Sequence, residues 1–313
     1  MRIRCLWWCT LAGLILPAFT VVPVSAQIED QLSAYTGVNA TGYLQPLADS
    51  FGATLNSGFY RSAYIPITGP RVSLEVLVMG LYFSDDQRTF QATTEGTFLP
   101  EQTAAAPTVV GSNQAVIIDG SGGAMYAFPG GLDVNSFGML APQLRLGALF
   151  GTEAVFRYAV VNTGDSEIGD LNLLGLGARH SVSQYFGKMF PVDLAIGFIW
   201  QSFTVGENSR GENLIDSDAF SMGVQASKRL PFGFATFEPY TALSYDSFHM
   251  KLDYDSEATG TTEPMKVDFD RMNTGHWTFG LNFNFVIASL YAEYNVASTS
   301  SFGFGLAVGN LGF

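Results

Sequence analysis

Large apolar residues alternate with small polar residues along positions 273–296 of the chain. The apolar side of the first half of this stretch consists of Trp277, Phe279, Leu281, Phe283 and Phe285. The other side carries Thr, Gly and Asn, which are only mildly polar for the water-facing side of a soluble sheet. A tilted strand of about ten residues crosses a bilayer. The pattern therefore predicts a wall of a membrane barrel, with apolar side chains toward lipid and polar ones toward the lumen.

The same period-two pattern recurs along most of the chain. In residues 192–205, Phe198 and Trp200 fall on the apolar side and are predicted to face lipid, while Asp193 falls on the other side. Strands are predicted at 54–66, 72–83, 142–150, 154–161, 171–186, 192–205, 220–227, 234–247, 273–285, 290–296 and 301–308. The spacing predicts consecutive antiparallel strands of one barrel, because no linker separates two domains.

Connections after residue 142 alternate between short turns and long polar loops, as in outer-membrane barrels. If the chain starts on the short-turn, periplasmic side, the first predicted strand (54–66) runs away from that side and the second (72–83) descends toward it. Region 84–140, otherwise a long insertion or loop, must then contribute one or three strands. We therefore expect an all-β, transmembrane antiparallel β-barrel of 12 or 14 strands occupying residues 54–313. The terminal Phe313 resembles the C-terminal signal that the barrel assembly machinery reads.

The first 26 residues have the parts of a secretory signal peptide. Arg2 and Arg4 precede an apolar core, and small residues lead to a cleavage site near Ala26. Cleavage there would remove Cys5 and Cys9, the two cysteines of the chain. We therefore expect a mature chain with neither disulfides nor thiolate chemistry.

Residues 27–53 differ from the rest because their apolar residues have loosely helical spacing, which Pro46 and Gly52 bring to an end. A short helix ahead of a barrel can plug the lumen or lie in the periplasm. A poorly ordered N-terminal arm is the alternative, and the sequence does not choose between these interpretations.

Composition narrows the choice of partners. Residues 1–26 hold two of the 15 basic residues and none of the 28 acidic ones, so the mature net charge would be −15. Such an acidic chain is a poor partner for nucleic acid. The full sequence is rich in apolar residues and contains 26 Phe and 34 Gly, yet no stretch of the mature chain approaches a membrane helix. These features favour strands that meet outer-membrane lipids on one face.

Residues 142–201 resemble an uncharacterised family of bacterial outer-membrane barrel proteins, a domain of unknown function. The resemblance lies in P-Q-L-R-L-G-A-L-F-G-T-E-A-V-F-R-Y, G-L-G-A-R-H-S-V-S-Q-Y-F and P-V-D-L-A-I-G-F-I-W-Q, with L-N-S-G-F-Y nearer the N-terminus. It implies an outer-membrane barrel without an established activity. More loosely, the chain is similar to the fatty-acid transporter class of barrels, which have fourteen strands and a plugged lumen. No motif of that class places a ligand residue here.

Charged residues on the polar sides of the predicted strands are expected to point into the lumen. They are Glu75, Arg145, Arg157, Arg179, Asp193, Glu238, Asp246 and Glu293. Charges of both signs in a lumen can pair and fill the barrel, since unpaired buried charge is costly. The alternative is a selectivity or gating network along a passage.

Catalytic and metal sites have little support in the sequence. A hydrolase of the outer-membrane type would need a Ser two residues from its His, because only positions i and i+2 share a strand face. The residue two after His180 is Val182. His249 and His276 share no metal-ligand spacing with His180. Acidic loop runs lack calcium-loop spacing and are interpreted as solvated charge, with weak cation bridging to lipopolysaccharide as the alternative.

We therefore expect no enzyme, no cofactor and no metal. The leading interpretation is a passive channel or transporter for a small solute. Aromatic content is the only sign that the solute is hydrophobic, and contact with lipid already explains much of that content. The alternative is a non-transporting structural or adhesive surface barrel that acts through its outer loops. A lipid hydrolase is a remote third interpretation.

Overall fold

A computed structural model describes residues 31–161, 170–187, 189–207, 211–256, 263–270 and 274–310. The predicted signal peptide, its cleavage site near Ala26 and the terminal Phe313 lie outside the described residues. None of the described helices is both long and apolar enough to span a membrane.

Helix α1 spans Gly37–Leu55. The strands are β1 (Arg71–Tyr82), β2 (Thr89–Thr93), β3 (Thr103–Pro107), β4 (Val116–Asp119), β5 (Met125–Phe128), β6 (Ser136–Leu149), β7 (Thr152–Val161), β8 (Leu171–Ser181), β9 (Asp193–Glu207), β10 (Asn213–Ser227), β11 (Leu230–Phe232), β12 (Ala235–Ser256), β13 (Glu263–Asp270), β14 (Gly275–Asn284), β15 (Ala288–Val296) and β16 (Ser301–Asn310).

Ten antiparallel strands of the described chain close into a barrel, in the order β1-β6-β7-β8-β9-β10-β12-β14-β15-β16 and back to β1. Strands β11 and β13 add to the two ends of β12. The predicted class, a transmembrane-type antiparallel barrel, is confirmed. The closed wall has fewer strands than the predicted 12 or 14, for two reasons. Residues 56–66 form no strand, and the strands added by region 84–135 pair only with each other.

The alternation of side chains explains why these residues form a barrel wall. Along β14 the side chains of Trp277, Phe279, Leu281 and Phe283 are exposed on the outside, whereas Thr278 and Asn282 are buried inside. On β9, Phe198 and Trp200 are likewise exposed. Phe285 lies beyond the end of β14, where it is half-buried and stacks on Phe234 at 6.4 Å. An apolar exterior around a polar interior is the reverse of a soluble barrel and is typical of membrane barrels.

The two ends of the barrel differ in the length of their connections. Short turns join β6 to β7, β8 to β9, β10 to β12 and β14 to β15, and we call this the short-turn end. At the opposite, long-connection end, residues 83–135 form one connection that carries the hairpins β2–β3 and β4–β5. Strand β6 runs toward the short-turn end, where it is joined to β7. Strand β1 is antiparallel to β6, so β1 runs away from the short-turn end. The expectation that residues 72–83 descend toward that end is therefore wrong.

The described chain begins at the long-connection end, not at the expected short-turn end. Tyr254, near the far end of β12, donates its hydroxyl to the backbone carbonyl of Tyr35 at 3.0 Å. The ring of Tyr35 stacks on Phe128 of β5, with 6.5 Å between the ring centres. The chain therefore enters the barrel from the long-connection end and emerges at the short-turn end before β1.

Helix α1 lies inside the barrel, against β1, β6 and β16 on one side and β12 and β13 on the other. Every residue from Pro46 to Leu55 is buried. A helix buried on all sides must satisfy its polar side chains internally. Ser50 Oγ donates to the carbonyl of Pro46 at 2.6 Å, and Thr54 Oγ1 donates to that of Ser50 at 2.7 Å. These bonds allow hydroxyl side chains in an enclosed helix.

An apolar core fills the barrel at the long-connection end. Leu44 and Tyr43 of α1 pack with Phe128 of β5, Met250 of β12 and Phe269 of β13. The Tyr43 hydroxyl donates to the Gly130 carbonyl at 3.1 Å. Burial raises the pKa of this hydroxyl above its ordinary value, because the charged form is deprived of water. This hydrogen bond ties α1 to the long connection.

The two faces of β1 provide a test of the inside–outside assignment. Leu77 is 0% exposed and packs beside Gly58, whereas Leu74 is 60% exposed on the outer face. Leu77→Ala leaves a cavity and should cost about 2 to 5 kcal/mol. Leu74→Ala should cost less, because detergent or lipid tails fill the space. Guanidinium unfolding of the purified barrel in detergent compares the two variants. Equal losses would show that Leu77 is not in a packed interior.

Candidate functional site

An extended chain follows α1 down the middle of the barrel. We call residues 56–66 the inner segment. It pairs with no strand, so its backbone N–H and C=O groups lack the partners that a sheet supplies. Buried backbone groups without partners cost about 1–3 kcal/mol each. Side chains of the surrounding wall must therefore supply the hydrogen bonds.

Arginines of neighbouring strands bind carbonyl groups of this chain in sequence. Arg157 of β7 donates Nη1 to the carbonyl of Leu55 at 2.9 Å and Nη2 to that of Ser57 at 3.1 Å. Arg145 of β6 donates Nη2 to the carbonyl of Phe59 at 2.8 Å. A guanidinium suits this role because its five donors form a rigid planar fork.

Two further arginines continue the series toward the short-turn end. Arg179 of β8 donates Nη2 to the carbonyl of Ser62. Arg71, the first residue of β1, donates Nη1 to the carbonyl of Tyr64 at 3.1 Å. Strands β1, β6, β7 and β8 are adjacent in the barrel, so one continuous arc of the wall supplies these donors.

The other arc of the wall supplies acceptors. Glu293 of β15 accepts the Gly58 N–H at 2.6 Å, and Ser227 Oγ of β10 accepts the Ala63 N–H at 2.9 Å. Glu238 of β12 accepts the hydroxyl of Ser62 at 2.6 Å. The inner segment is thus hydrogen-bonded to both sides of the wall, which fixes its position across the lumen.

Buried carboxylates balance part of the arginine charge. Glu75 Oε1 lies 2.7 Å from Arg61 Nη1 and 2.9 Å from Arg145 Nε. Glu153 Oε1 lies 2.9 Å from Arg145 Nη1 and 2.5 Å from Arg179 Nη1. Because each carboxylate contacts two guanidiniums, removing one member would leave buried charge without its partner.

The structure places the predicted lumenal charges as follows. Seven of them are buried inside the barrel: Glu75, Arg145, Arg157, Arg179, Glu238, Asp246 and Glu293. Asp193 lies at the short-turn end, where it is partly exposed and its Oδ2 is 3.3 Å from Arg229 Nε. The predicted residues thus come together along the inner segment, except for Asp193 and Asp246.

Sequence reasoning missed three members of this network, and one of them, Arg71, lies just before the predicted strand 72–83. Arg61 was expected in a wall strand, and Glu153 was expected in a turn. Glu153 is the second residue of β7 and lies opposite Gly147, on the inward face it shares with Arg157. Its two-residue spacing from Val155 and Arg157 could have indicated that face.

Asp246 belongs to a separate group with His276 and Ser244. His276 Nδ1 is 2.6 Å from Asp246 Oδ2, and Ser244 Oγ is 3.0 Å from Nε2. However, Ser244 Oγ is also only 3.4 Å from Nδ1, so it lies beside the ring instead of in line with Nε2. That position does not suit proton transfer from the hydroxyl to the imidazole.

The other candidate for catalysis lies on the outside. His180 faces outward on β8 and is hydrogen-bonded to Thr152 at 2.8 Å and to the Tyr185 hydroxyl at 2.8 Å. These contacts describe an interfacial side chain held by its neighbours. Within the ranges that the structure describes, no group of three or more His, Cys, Asp or Glu is arranged to hold a metal ion.

Replacement of Arg157 tests the energetic role of the network. Arg157→Ala removes the donor to the carbonyls of Leu55 and Ser57 and to the side chains of Gln143 and Gln201. Buried acceptors left without a donor cost about 1–3 kcal/mol each, so the variant should lose about 3 to 5 kcal/mol. Lys266→Ala removes an exposed ammonium group that pairs with Asp253, and should cost less than about 1 kcal/mol. Chemical unfolding in detergent measures both. A loss below 1 kcal/mol for Arg157→Ala would contradict a structural role for its hydrogen bonds.

Comparisons with known proteins add the following. One solved structure with similarity to the chain is the beta domain of the Bordetella autotransporter BrkA (10% identity, 77% of this chain and 99% of that chain covered, TM-score 0.24). The chain is also similar to a Pseudomonas aeruginosa FadL homologue (9% identity, 89% and 95% covered, TM-score 0.24). A third similarity is to a BenF-like porin from Pseudomonas fluorescens Pf-5 (10% identity, 77% and 97% covered, TM-score 0.17). TM-scores this low carry no functional argument.

A comparison with curated proteins gives no match. The model of one protein family, described as a family of unknown function, matches residues 3–310. The match covers nearly the whole chain, including the inner segment and all ten strands of the closed wall.

Proposed function

The chain belongs to the family of unknown function DUF6588, and we propose that it is a bacterial outer-membrane barrel that is closed at rest. In this proposal the protein acts through its long-connection end, as a structural or adhesive surface barrel, and not as an open channel. The short-turn end faces the periplasm. The apolar exterior of the ten-stranded wall supports the membrane location.

One observation carries the proposal: the hydrogen bonds that hold the inner segment across the lumen. An open pore needs a continuous aqueous path. Here Arg145, Arg157 and Arg179 reach from one arc to the backbone of residues 55–62. From the other arc, Glu293 accepts the Gly58 N–H and Glu238 accepts the Ser62 hydroxyl. Moving the segment would break several buried, charge-assisted hydrogen bonds together, each worth about 1.5–3 kcal/mol.

The surface of the long-connection end also supports this proposal. Exposed carboxylates at that end include Asp85, Asp86, Glu101, Asp119, Asp133, Asp170, Glu212, Asp216, Asp218, Glu263, Asp268 and Asp270. The long connection 83–135 covers α1 through the core around Phe128, so an ordered surface is presented there. An ordered, charged surface on a closed barrel suits contact with external partners.

Gated transport of a small solute is the second candidate, and a specific observation favours it. Buried polar side chains on the wall opposite most of the arginines have no hydrogen-bond partner among the described residues. They are Gln225 of β10 and Asn282 of β14. Such groups need water, so a hydrated layer beside the inner segment would provide a route if the segment moved.

Conductance in planar bilayers separates these functions. The purified wild-type barrel should show no steady conductance, because the lumen is filled. The double variant Glu75→Ala/Arg145→Ala removes one charge of each sign and should give brief openings. Lys266→Ala is the matched surface control and should stay closed. Steady wild-type conductance would contradict a closed barrel, whereas openings that depend on an added solute would favour gated transport.

Cysteine labelling tests the orientation. Val38 is 87% exposed at the long-connection end, and Ile67 is 52% exposed near the short turn between β6 and β7. In intact cells, a membrane-impermeant maleimide should label the Val38→Cys variant. The Ile67→Cys variant should react only after the outer membrane is permeabilised. Cys5 and Cys9 lie in the predicted signal peptide, so the wild-type chain is the blank. The reverse labelling pattern would refute the proposed orientation.

A further inference from the structure

A cavity of about 560 Å³ opens at the short-turn end of the barrel. It lies where the inner segment leaves the lumen, between the β8–β9 turn and the β10–β11 turn. Its lining combines the apolar Ile65 and Phe190 with hydroxyl and amide groups of Ser181 and Gln184, and with the cations of Lys228 and Arg229. A mixture of apolar surface and converging polar groups is typical of ligand sites.

The two cations keep unused donors in this cavity. Arg229 lies 3.3 Å above the centre of the Tyr64 ring, and its Nε is 3.3 Å from Asp193 Oδ2. Among the described residues, its two terminal nitrogens have no acceptor, and the Lys228 ammonium group has no ion-pair partner. The stacking on Tyr64 fixes the guanidinium plane, so its free edge is already oriented.

The turns around this cavity carry exposed apolar residues at their tips. These residues are Phe150, Phe186, Met189, Phe190, Phe232, Phe234, Val286 and Ile287. Tight turns that project into water seldom carry so many large apolar side chains, whereas rings at a membrane interface are common. The cavity mouth therefore lies at the level of lipid headgroups instead of in bulk periplasm.

The charge of the chain is distributed unevenly between the two ends. The exposed carboxylates described above crowd the long-connection end, whereas Lys228 and Arg229 lie at the short-turn end beside the single carboxylate of Asp193. Lys228 and Arg229 outnumber Asp193 at this mouth, so its local charge attracts anions although the chain as a whole is acidic. A phosphate group fits this chemistry, because guanidinium and ammonium groups both bind phosphate oxygens.

We propose that the short-turn cavity binds the phosphate headgroup of an anionic phospholipid of the periplasmic leaflet. Lys228 and Arg229 contact the phosphate, Ser181 and Gln184 add polar contacts, and Ile65 with Phe190 and the turn tips contact the start of the acyl chains. This inference rests on the proposed orientation in the outer membrane. It does not depend on whether the lumen conducts.

Titration of the purified full-length barrel in a neutral detergent tests the site. Short-chain phosphatidylglycerol is the probe, with phosphatidylcholine and inorganic phosphate as separate arms, and calorimetry is the measurement. Phosphatidylglycerol should bind at least about fivefold more tightly than phosphatidylcholine. Lys228→Gln should weaken its binding about fivefold, since one cation near an anionic lipid contributes about 1 kcal/mol. Lys228→Gln/Arg229→Gln should weaken it further.

Lys251→Gln is the matched control, because Lys251 is an exposed lysine near the long-connection end of β12. It should bind phosphatidylglycerol like the wild type. Heat-modifiable electrophoretic mobility confirms that each variant is folded. Equal binding of the two lipids, or equal weakening by Lys251→Gln, would overturn the site. Inorganic phosphate that binds as tightly as the lipid would show a free-anion site and overturn the lipid proposal. Neither result would alter the conductance prediction.

Discussion

The backbone groups of the inner segment impose the constraint on which the rest of the interior depends. An extended chain without a sheet partner cannot remain in a barrel unless side chains satisfy its N–H and C=O groups. Wall arginines bind the carbonyls, and Glu293 and Ser227 accept N–H groups from the other side. Arg145 and Arg179 in turn pair with Glu75 and Glu153, because a buried guanidinium is stabilised by opposite charge. The pairing of lumenal charges thus follows from a chain that occupies the lumen.

The hydrophobic pattern of the sequence is sufficient to predict the strands of the wall but not the path of the chain inside the barrel. Period-two alternation locates strands such as β9 and β14, and it assigns Trp277 and Asn282 to opposite faces, because lipid and lumen demand different side chains. Residues 54–66 have a weak alternation too, but it comes from an extended chain that meets walls on both sides. The spacing of apolar residues alone does not distinguish such an inner chain from a strand of the wall. Arg61, a cation in an otherwise mild segment, is the signal that favours the interior.

The two ends of the barrel have different chemistry. At the long-connection end, α1 and the connection 83–135 form a core like that of a soluble domain, under an acidic surface. At the short-turn end, apolar turns surround a small cavity lined by the cations Lys228 and Arg229. The order of the predicted strands was not enough to assign these two ends. The direction of β1 depends on the path of residues 31–66 through the barrel. Once that path is known, the ten-stranded wall and its even strand number follow directly.

Amide hydrogen exchange across residues 56–63 tests the central claim most directly. The Gly58 and Ala63 amides are bonded to Glu293 and Ser227, although neither residue belongs to a helix or strand. If wall side chains hold the inner segment in the lumen, these amides should exchange as slowly as those in the middle of β9 and β14. Exchange within seconds, at the rate of an exposed loop, would show that the segment is not held there.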